Sequence, residues 1–257
     1  GRRPVGEAQR AAAFERFAAL GFPAPREEAW KYTSLRRLAS RRFPLPREAT
    51  AVPELPPALA TYRLAVVDGR PGREPGASLP AGLRLRQLAE AQAEGESIAA
   101  LLRVTQGGGT ERFAALNAAL CPDVALLDVA GGTSPEPLEI VVAATAAQPG
   151  MSHPRVVLRA GAGSTARILL RHVGDDTERW VNAVVDVEVG PGATVHLYRL
   201  LDSGVRGFHT ERIEATVAQR GTFIAHDAQL GAGLARLDLH ARLAAPQAAA
   251  ELTGLFL

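Results

Sequence analysis

The chain has little of several things that define common classes of protein. Its 257 residues include one cysteine, Cys121, one methionine and one lysine, Lys31. A single cysteine excludes an internal disulfide and any metal cage built from several cysteines of this chain. No run approaches the ~20 apolar residues of a membrane-spanning helix, and no signal-peptide core opens the chain. These absences predict a cytoplasmic protein without a membrane partner.

The charge of the chain is small but unevenly distributed. The net charge is +2, whereas residues 1–48 alone hold eleven basic side chains against five glutamates. A basic arm of this kind can meet nucleic acid, an anionic membrane or an acidic partner. No motif for reading a nucleic-acid groove accompanies it. A solvated helical face is therefore the favoured interpretation, and no nucleic-acid partner is expected.

The second half of the chain repeats itself. Gly163, Gly192 and Gly221 head the similar runs GSTARILL, GATVHLYR and GTFIAHDA at a spacing of 29 residues, and a weaker copy begins at Gln247. A near-constant period of this size is typical of stacked supersecondary units. The glycines supply turns, because they tolerate a positive φ.

The residues around these turns alternate between apolar and polar. In the run 180–189, Val181, Val185 and Val189 share one phase, while Asp186 and Glu188 share the other. Alternation of this kind indicates strands that are buried on one face. Each unit is thus predicted as strand, turn and strand. A solenoid and a sandwich of hairpins both fit, and the fixed period favours the solenoid.

The order of elements predicts three sections. Residues 1–50 form a helical arm, 51–123 a mixed α/β section, and 124–257 a β-helix core. Helices are predicted over 7–20, 88–102 and 111–120, a helix or two short turns over 26–39, and a strand over 62–68. Because the chain stops in a strand, we expect an incomplete β-helix with an apolar edge that pairs with another chain or frays. Its residues are Leu252, Leu255 and Leu257.

Two motifs point towards small-molecule sites. The run Gly161–Ala166 matches a dinucleotide-binding fingerprint, but that fingerprint needs a following helix, and a strand is predicted here. The six histidines are expected to face solvent on strands. His196 and His226 occupy nearly the same repeat position, yet no carboxylate or thiol at matching positions completes a metal site. A structural turn and no metal site are therefore predicted.

An enzyme is the alternative that the architecture itself suggests. Polysaccharide-processing β-helices line one face with carboxylates and basic residues for acid–base chemistry. The candidates for such a face are Asp186, Glu188, Arg212, Glu214, Arg236 and Asp238. Charged residues on outward strand positions also serve solubility, so these charges alone do not establish an enzyme.

The stretch from Leu20 to Leu35, LGFPAPREEAWKYTSL, is the most distinctive part of the chain. It resembles the N-terminal signature of the SufB/SufD family of iron–sulfur cluster assembly proteins, on the SufD side of that family. The similarity continues at residues 63–69, 113–120, 208–209, 235–239 and 251–257. It therefore extends over essentially the whole chain.

The resemblance implies a right-handed parallel β-helix with an α-helical N-terminal region. It implies a non-enzymatic scaffold or accessory subunit that pairs with SufB through the β-helix and docks the ATP-binding SufC through a missing C-terminal region. A homodimer through the β-helix is a further expectation. An iron–sulfur cluster is implied only for the complex, and no catalytic, cofactor or metal residue is assigned to this chain.

The resemblance also singles out four signature residues, Trp30, Lys31, Tyr32 and Thr33. Trp30 and Tyr32 have apolar rings with one polar group, so we expect them to pin the helical arm to the body of the protein. A surface for docking a partner is the alternative role of the four residues.

Overall fold

The computed structural model describes residues 5–46, 54–72, 78–105, 111–144 and 149–257. The predicted boundary near residue 50 lies outside these ranges. The helices are α1 (Glu7–Leu20), α2 (Arg36–Ala39), α3 (Leu88–Ala93), α4 (Ile98–Leu101) and α5 (Glu111–Leu120), with a 3₁₀ turn at Glu28–Trp30. The strands are β1 (Tyr62–Val67), β2 (Arg70–Gly72), β3 (Leu83–Arg86), β4 (Ala125–Val129), β5 (Leu138–Ala143), β6 (Gly150–Ser152), β7 (Arg155–Ala160), β8 (Thr165–Val173), β9 (Arg179–Val189), β10 (Thr194–Asp202), β11 (Phe208–Val217), β12 (Thr222–Gln229), β13 (Leu234–Leu243) and β14 (Ala249–Phe256).

The strands form two sheets that the chain visits in turn. The first sheet has the order β14-β12-β10-β8-β5-β1-β2, and the second has the order β13-β11-β9-β7-β4-β3. Pairing is parallel along both sheets, except that β2 and β3 pair antiparallel at the early ends. This is a β-solenoid, which confirms the mainly β prediction over the hairpin sandwich. Its right-handed sense stays a prediction.

The corners of the solenoid account for the sequence repeat, and they show that the third turn was predicted at the wrong residue. Strands β8, β10, β12 and β14 begin in register, and two residues before each start the backbone has a positive φ. Those residues are Gly163, Gly192, Arg220 and Gln247. The third corner therefore falls on Arg220 and not on Gly221, because successive coils shorten by one residue. A fixed period of 29 was wrong by one residue at this point.

The core lies between the two sheets. The inward residues Ala166, Ile168 and Leu170 of β8 belong to the same buried cluster as Val185 and Val187 of β9. Burial of an aliphatic side chain of this size contributes about 1.5–3 kcal/mol. Each coil covers the apolar residues of its neighbours, so the stack and its core form together.

The helices lie mainly in the N-terminal half, and one of the predicted ones is interrupted. The predicted helix over 88–102 divides into α3 and α4, because Gly95 adopts a positive φ of 86° and Ser97 caps α4. Over 26–39 the structure has the 3₁₀ turn and the four-residue α2, which agrees with the alternative of two short turns. Among the described residues, no helix has both the length and the apolar character needed to cross a membrane.

Candidate functional site

A cluster of polar side chains lies inside the solenoid. The inward phase of β8, which begins with apolar residues, ends on His172, and the inward phase of β10 includes Arg199. Asp227 points inward from β12 of the same sheet, in register with Arg199. His209 and Glu211 point inward from β11 of the facing sheet. These five residues, here called the lumen cluster, come from four strands and meet between the sheets.

Glu211 is the centre of the lumen cluster. Its Oε2 accepts a hydrogen bond of 2.6 Å from Arg199 Nε, and it lies 2.9 Å from His209 Nε2 and 3.1 Å from His172 Nε2. Arg199 Nη1 donates a second bond of 2.5 Å to Asp227 Oδ1. Charge-assisted bonds of this length are roughly twice as strong as neutral ones, so the cluster is held in a defined geometry.

The environment fixes the protonation states within this cluster. Burial alone would raise the pKa of Glu211, but Arg199 and His172 lower that pKa well below its usual range. Burial lowers the pKa of His209 to about 3, and the neighbouring His172 acts in the same direction. Burial opposes the charge of Arg199, yet Glu211 and Asp227 raise its pKa. Near neutral pH the cluster therefore contains an ionised carboxylate beside a neutral imidazole.

A small cavity adjoins the two imidazole rings. Its volume is about 30 Å³, and its lining includes His172 and His209. The two ring centroids are 4.5 Å apart with an interplanar angle of 70°. The Nδ1 atom of His172 has no hydrogen-bond partner among the described residues. The polar groups of the cluster thus border a space with room for a water molecule.

The histidines correct one prediction. His153, His172 and His209 are buried, so the expectation that histidines face solvent was wrong for these three. It holds for His196 and His226, whose rings lie on the outer face with the ring of Tyr198 stacked between them.

The structure brings a carboxylate to a pair of histidines other than His196 and His226. Ligand atoms of His172, His209 and Glu211 all lie within 4.8 Å of one another. The three residues occupy different repeat positions on two facing sheets, so a search of matching repeat positions cannot pair them. The sequence signal that finds them is the alternation along each strand. His172 lies two positions after the inward Leu170, and Glu211 lies two positions before the inward Ile213, so both face inward.

The four signature residues separate into two groups. Trp30 is 2% exposed, its ring meets Phe113 edge to face at 5.4 Å, and the Arg236 guanidinium lies 3.9 Å from its ring centroid. Thr33 Oγ1 accepts a hydrogen bond of 3.3 Å from the same arginine. Trp30 therefore pins the N-terminal arm to strand β13 of the solenoid, as predicted.

Tyr32 behaves differently from Trp30. Its side chain is 90% exposed, and the ammonium group of Lys31 lies 5.4 Å from its ring centroid. The prediction that Tyr32 pins the arm was wrong, because the 3₁₀ turn at Glu28–Trp30 directs only Trp30 inward. A partner contact through Lys31 and Tyr32 stays a prediction.

The arm makes further contacts across successive coils. Phe43 packs against Trp180 of β9 and Phe208 of β11, with ring centroids 6.4 and 5.8 Å apart. Arg41 forms an ion pair of 3.0 Å with Glu178. With the Trp30–Arg236 contact, the arm touches strands from three successive coils.

The charged residues considered for a polysaccharide site are paired with one another or with nearby arginines. Asp186 accepts from Arg155 at 2.7 Å and from Arg103 at 3.2 Å. Glu188 lies 3.3 Å from Arg159. Further pairs are Arg212 with Glu214 and Arg236 with Asp238. Each of these carboxylates is thus already engaged in an ion pair with an arginine.

The glycine run at 161–166 forms a corner of the solenoid, and strand β8 follows it. The structural interpretation of that motif is therefore confirmed. The predicted edge residues lie in and just after β14, where Leu252 is 49% exposed, Leu255 54% and Leu257 86%. Leu252 stands in register with the inward residue Ala225 of β12.

The chain is a parallel β-solenoid with a helical layer on the outer face of one sheet. Proteins of this class have long sheet surfaces and exposed strand edges to which other chains can bind. Two family models match this chain: SufBD protein N-terminal region over residues 2–138, and SUF system FeS cluster assembly, SufBD core domain, over residues 142–257. The chain belongs to the SufBD family and is thereby tied to iron–sulfur cluster assembly. None of the curated proteins compared with it matches.

Proposed function

We propose that the protein is an accessory scaffold subunit of the SUF assembly machinery, in the role of SufD, and is not itself an enzyme. The observation that carries this proposal is the succession of both SufBD models along nearly the whole chain. The Trp-Lys-Tyr-Thr signature at residues 30–33 favours the SufD side of the family.

The state of Cys121 supports an accessory role. This residue is the single thiol of the chain, and it is buried. Burial raises its pKa, although Arg10 opposes the shift, so the reactive thiolate is disfavoured. Sulfur chemistry and cluster ligation by cysteine need an accessible thiolate. Cysteine ligands for a nascent cluster would therefore come from a partner.

The partners proposed are SufB, paired through the β-helix, and the ATPase SufC, which would bind ATP. An exposed strand offers unpaired backbone groups to a second β-helix, and strand addition gives both affinity and register. Leu252 would then meet the apolar interior of the partner's coil. A homodimer through the same edge is the competing arrangement. The cytoplasm is the proposed location.

Co-purification tests this function. The 257-residue chain carrying a tag is expressed with SufB and SufC of its own organism, and we expect SufB to be retained. Leu252→Lys should weaken retention, whereas Val205→Lys, at an exposed loop position, should not. Retention of neither SufB nor SufC would refute the assignment. Light scattering of the isolated chain that gives twice the monomer mass would favour the homodimer.

A further inference from the structure

We infer that the lumen of the solenoid contains a binding site for one divalent first-row transition-metal ion, with His172, His209 and Glu211 as its protein ligands. The inference concerns donor atoms of this chain alone. It does not depend on the SUF partners or on the ligation of an iron–sulfur cluster.

The donor set suits such an ion. Two imidazoles and one carboxylate form a combination that binds Fe²⁺, Co²⁺ and Zn²⁺, whereas Mg²⁺ and Ca²⁺ prefer oxygen ligands. The three ligand atoms lie within 4.8 Å of one another and come from buried side chains on two facing sheets. Three ligands on a rigid scaffold leave positions for water, as in open metal sites.

The spacing also suits direct ligation. Ligand atoms about 2.0–2.2 Å from a common ion lie roughly 3.0–3.5 Å apart in octahedral or tetrahedral geometry. Glu211 Oε2 lies 2.9 Å from His209 Nε2 and 3.1 Å from His172 Nε2. An ion can therefore be accommodated with small movements of these side chains, whose backbone positions are fixed by parallel pairing.

The surroundings supply what a buried ion needs. Arg199 holds the carboxylate of Glu211 in place through its hydrogen bond, and residues that support a metal ligand in this way orient it toward the ion. Glu211 and Asp227 together carry two negative charges against the one positive charge of Arg199, so the cluster can partly offset a dication. The cavity of about 30 Å³ beside both imidazoles gives room for a water ligand.

His172, which lines this cavity, has a buried ring nitrogen, Nδ1, without a hydrogen-bond partner among the described residues. A buried ring nitrogen left without a hydrogen bond is destabilising. When Nε2 binds a metal ion, the neutral ring carries its proton on Nδ1, and a water in the cavity can accept a hydrogen bond from that N–H group.

The test is a Co²⁺ titration of the chelator-treated protein, followed by visible absorption and calorimetry. We expect one Co²⁺ per chain, displaced by Zn²⁺ and unaffected by a large excess of Mg²⁺. His209→Gln and Glu211→Gln should each weaken binding at least about tenfold, because changes to residues that only support a metal ligand already have an effect of this size. His226→Gln is the matched control, because it removes an outward strand histidine and should leave binding unchanged.

Two outcomes would overturn the site. Wild-type protein that binds no Co²⁺ would show that His172, His209 and Glu211 serve only as a hydrogen-bond network. Equal binding by the wild type and a folded His209→Gln variant would place the ion elsewhere. Should the lumen variants fail to fold, X-ray absorption of the wild-type Co²⁺ complex decides, since two imidazole ligands are expected and their absence refutes the site.

Discussion

The interior of the solenoid contains two stretches of opposite character. Along β8 the inward side chains Ala166, Ile168 and Leu170 face an apolar core, while two positions after Leu170 the inward residue is His172. The apolar stretch accounts for stacking, because it recurs from coil to coil. The polar stretch does not recur, and well-packed apolar residues often replace buried ion pairs without loss of stability. Stacking alone therefore does not explain the lumen cluster.

The largest effect is expected from breaking the polar stretch at its cation. Arg199→Met leaves Glu211 and Asp227 buried without their shared partner, which should lower the free energy of unfolding by about 4 kcal/mol. Urea denaturation followed by circular dichroism measures this loss. Restoration of most of the loss by adding Glu211→Gln and Asp227→Asn would show that the unpaired charges cause it. A loss below 1 kcal/mol for Arg199→Met alone would contradict the ion-pair geometry.

A somewhat smaller effect is expected in the apolar stretch. Leu170→Ala removes buried methyl groups and leaves a cavity, at a cost of about 3 kcal/mol. The same denaturation experiment measures it, and Leu170→Met, which keeps the volume, is the control with a cost below about 1.5 kcal/mol. Equal stability of the alanine variant and the wild type would mean that this position is not packed as described.

A fall in pH should lower the free energy of unfolding through buried titratable groups and not through the apolar core. His153 is the clearest example of such a group. This residue is buried on the outer side of the second sheet, where Nδ1 lies 3.2 Å from Asn182 Nδ2, and burial lowers its pKa from 6.5 to about 3. The folded protein holds the ring neutral, whereas the unfolded chain takes up a proton. The stabilising contribution is thus complete above pH 6.5 and is lost as the pH falls towards 3.

The contribution of His153 alone to the slope is roughly 1.4 kcal/mol per pH unit within this window. Denaturation at several pH values should give a shallower slope for His153→Gln than for the wild type. Leu170→Ala should keep the wild-type slope, because it removes no titrating group. Identical slopes in all three proteins would rule out the assigned role of His153.

The smallest change in stability is expected at an outward histidine, and it shows whether burial or the residue type decides the contribution of a histidine. His226 lies on the outer face, where its Nδ1 is 2.6 Å from Thr253 Oγ1. His226→Ala should change stability by less than about 0.5 kcal/mol, as is usual for surface positions. Thermal unfolding is sufficient to measure it. A loss of several kcal/mol would remove the distinction between the outward and inward histidines.

The architecture was accessible from the sequence, because corner residues and alternation are local signals. The repeat at Gly163 and Gly192 predicted stacked coils, and the parallel pairing of β8, β10 and β12 agrees with it. The third corner was misplaced by one residue, since Arg220 takes a conformation that usually favours glycine.

The lumen cluster was less accessible. His172 and Glu211 are 39 residues apart and belong to facing sheets, so no local motif joins them. Their inward direction follows from alternation within each strand, but their proximity depends on the register of coils, which the sequence does not specify. Likewise, Trp30 and Tyr32 look equivalent in the sequence, and only the short 3₁₀ turn separates their directions.

The N-terminal arm changes how such a stack comes apart. Arrays of coils with nearest-neighbour contacts unravel gradually from an end. Here Phe43 and Trp30 join β9, β11 and β13 from outside, through Trp180, Phe208 and Arg236. A strap of this kind also links β9 to β13, which do not pair with each other, so loss of one coil weakens the contacts that the strap makes with the others. The middle of the solenoid should accordingly melt as one cooperative unit, and cutting the strap should make its unfolding broad.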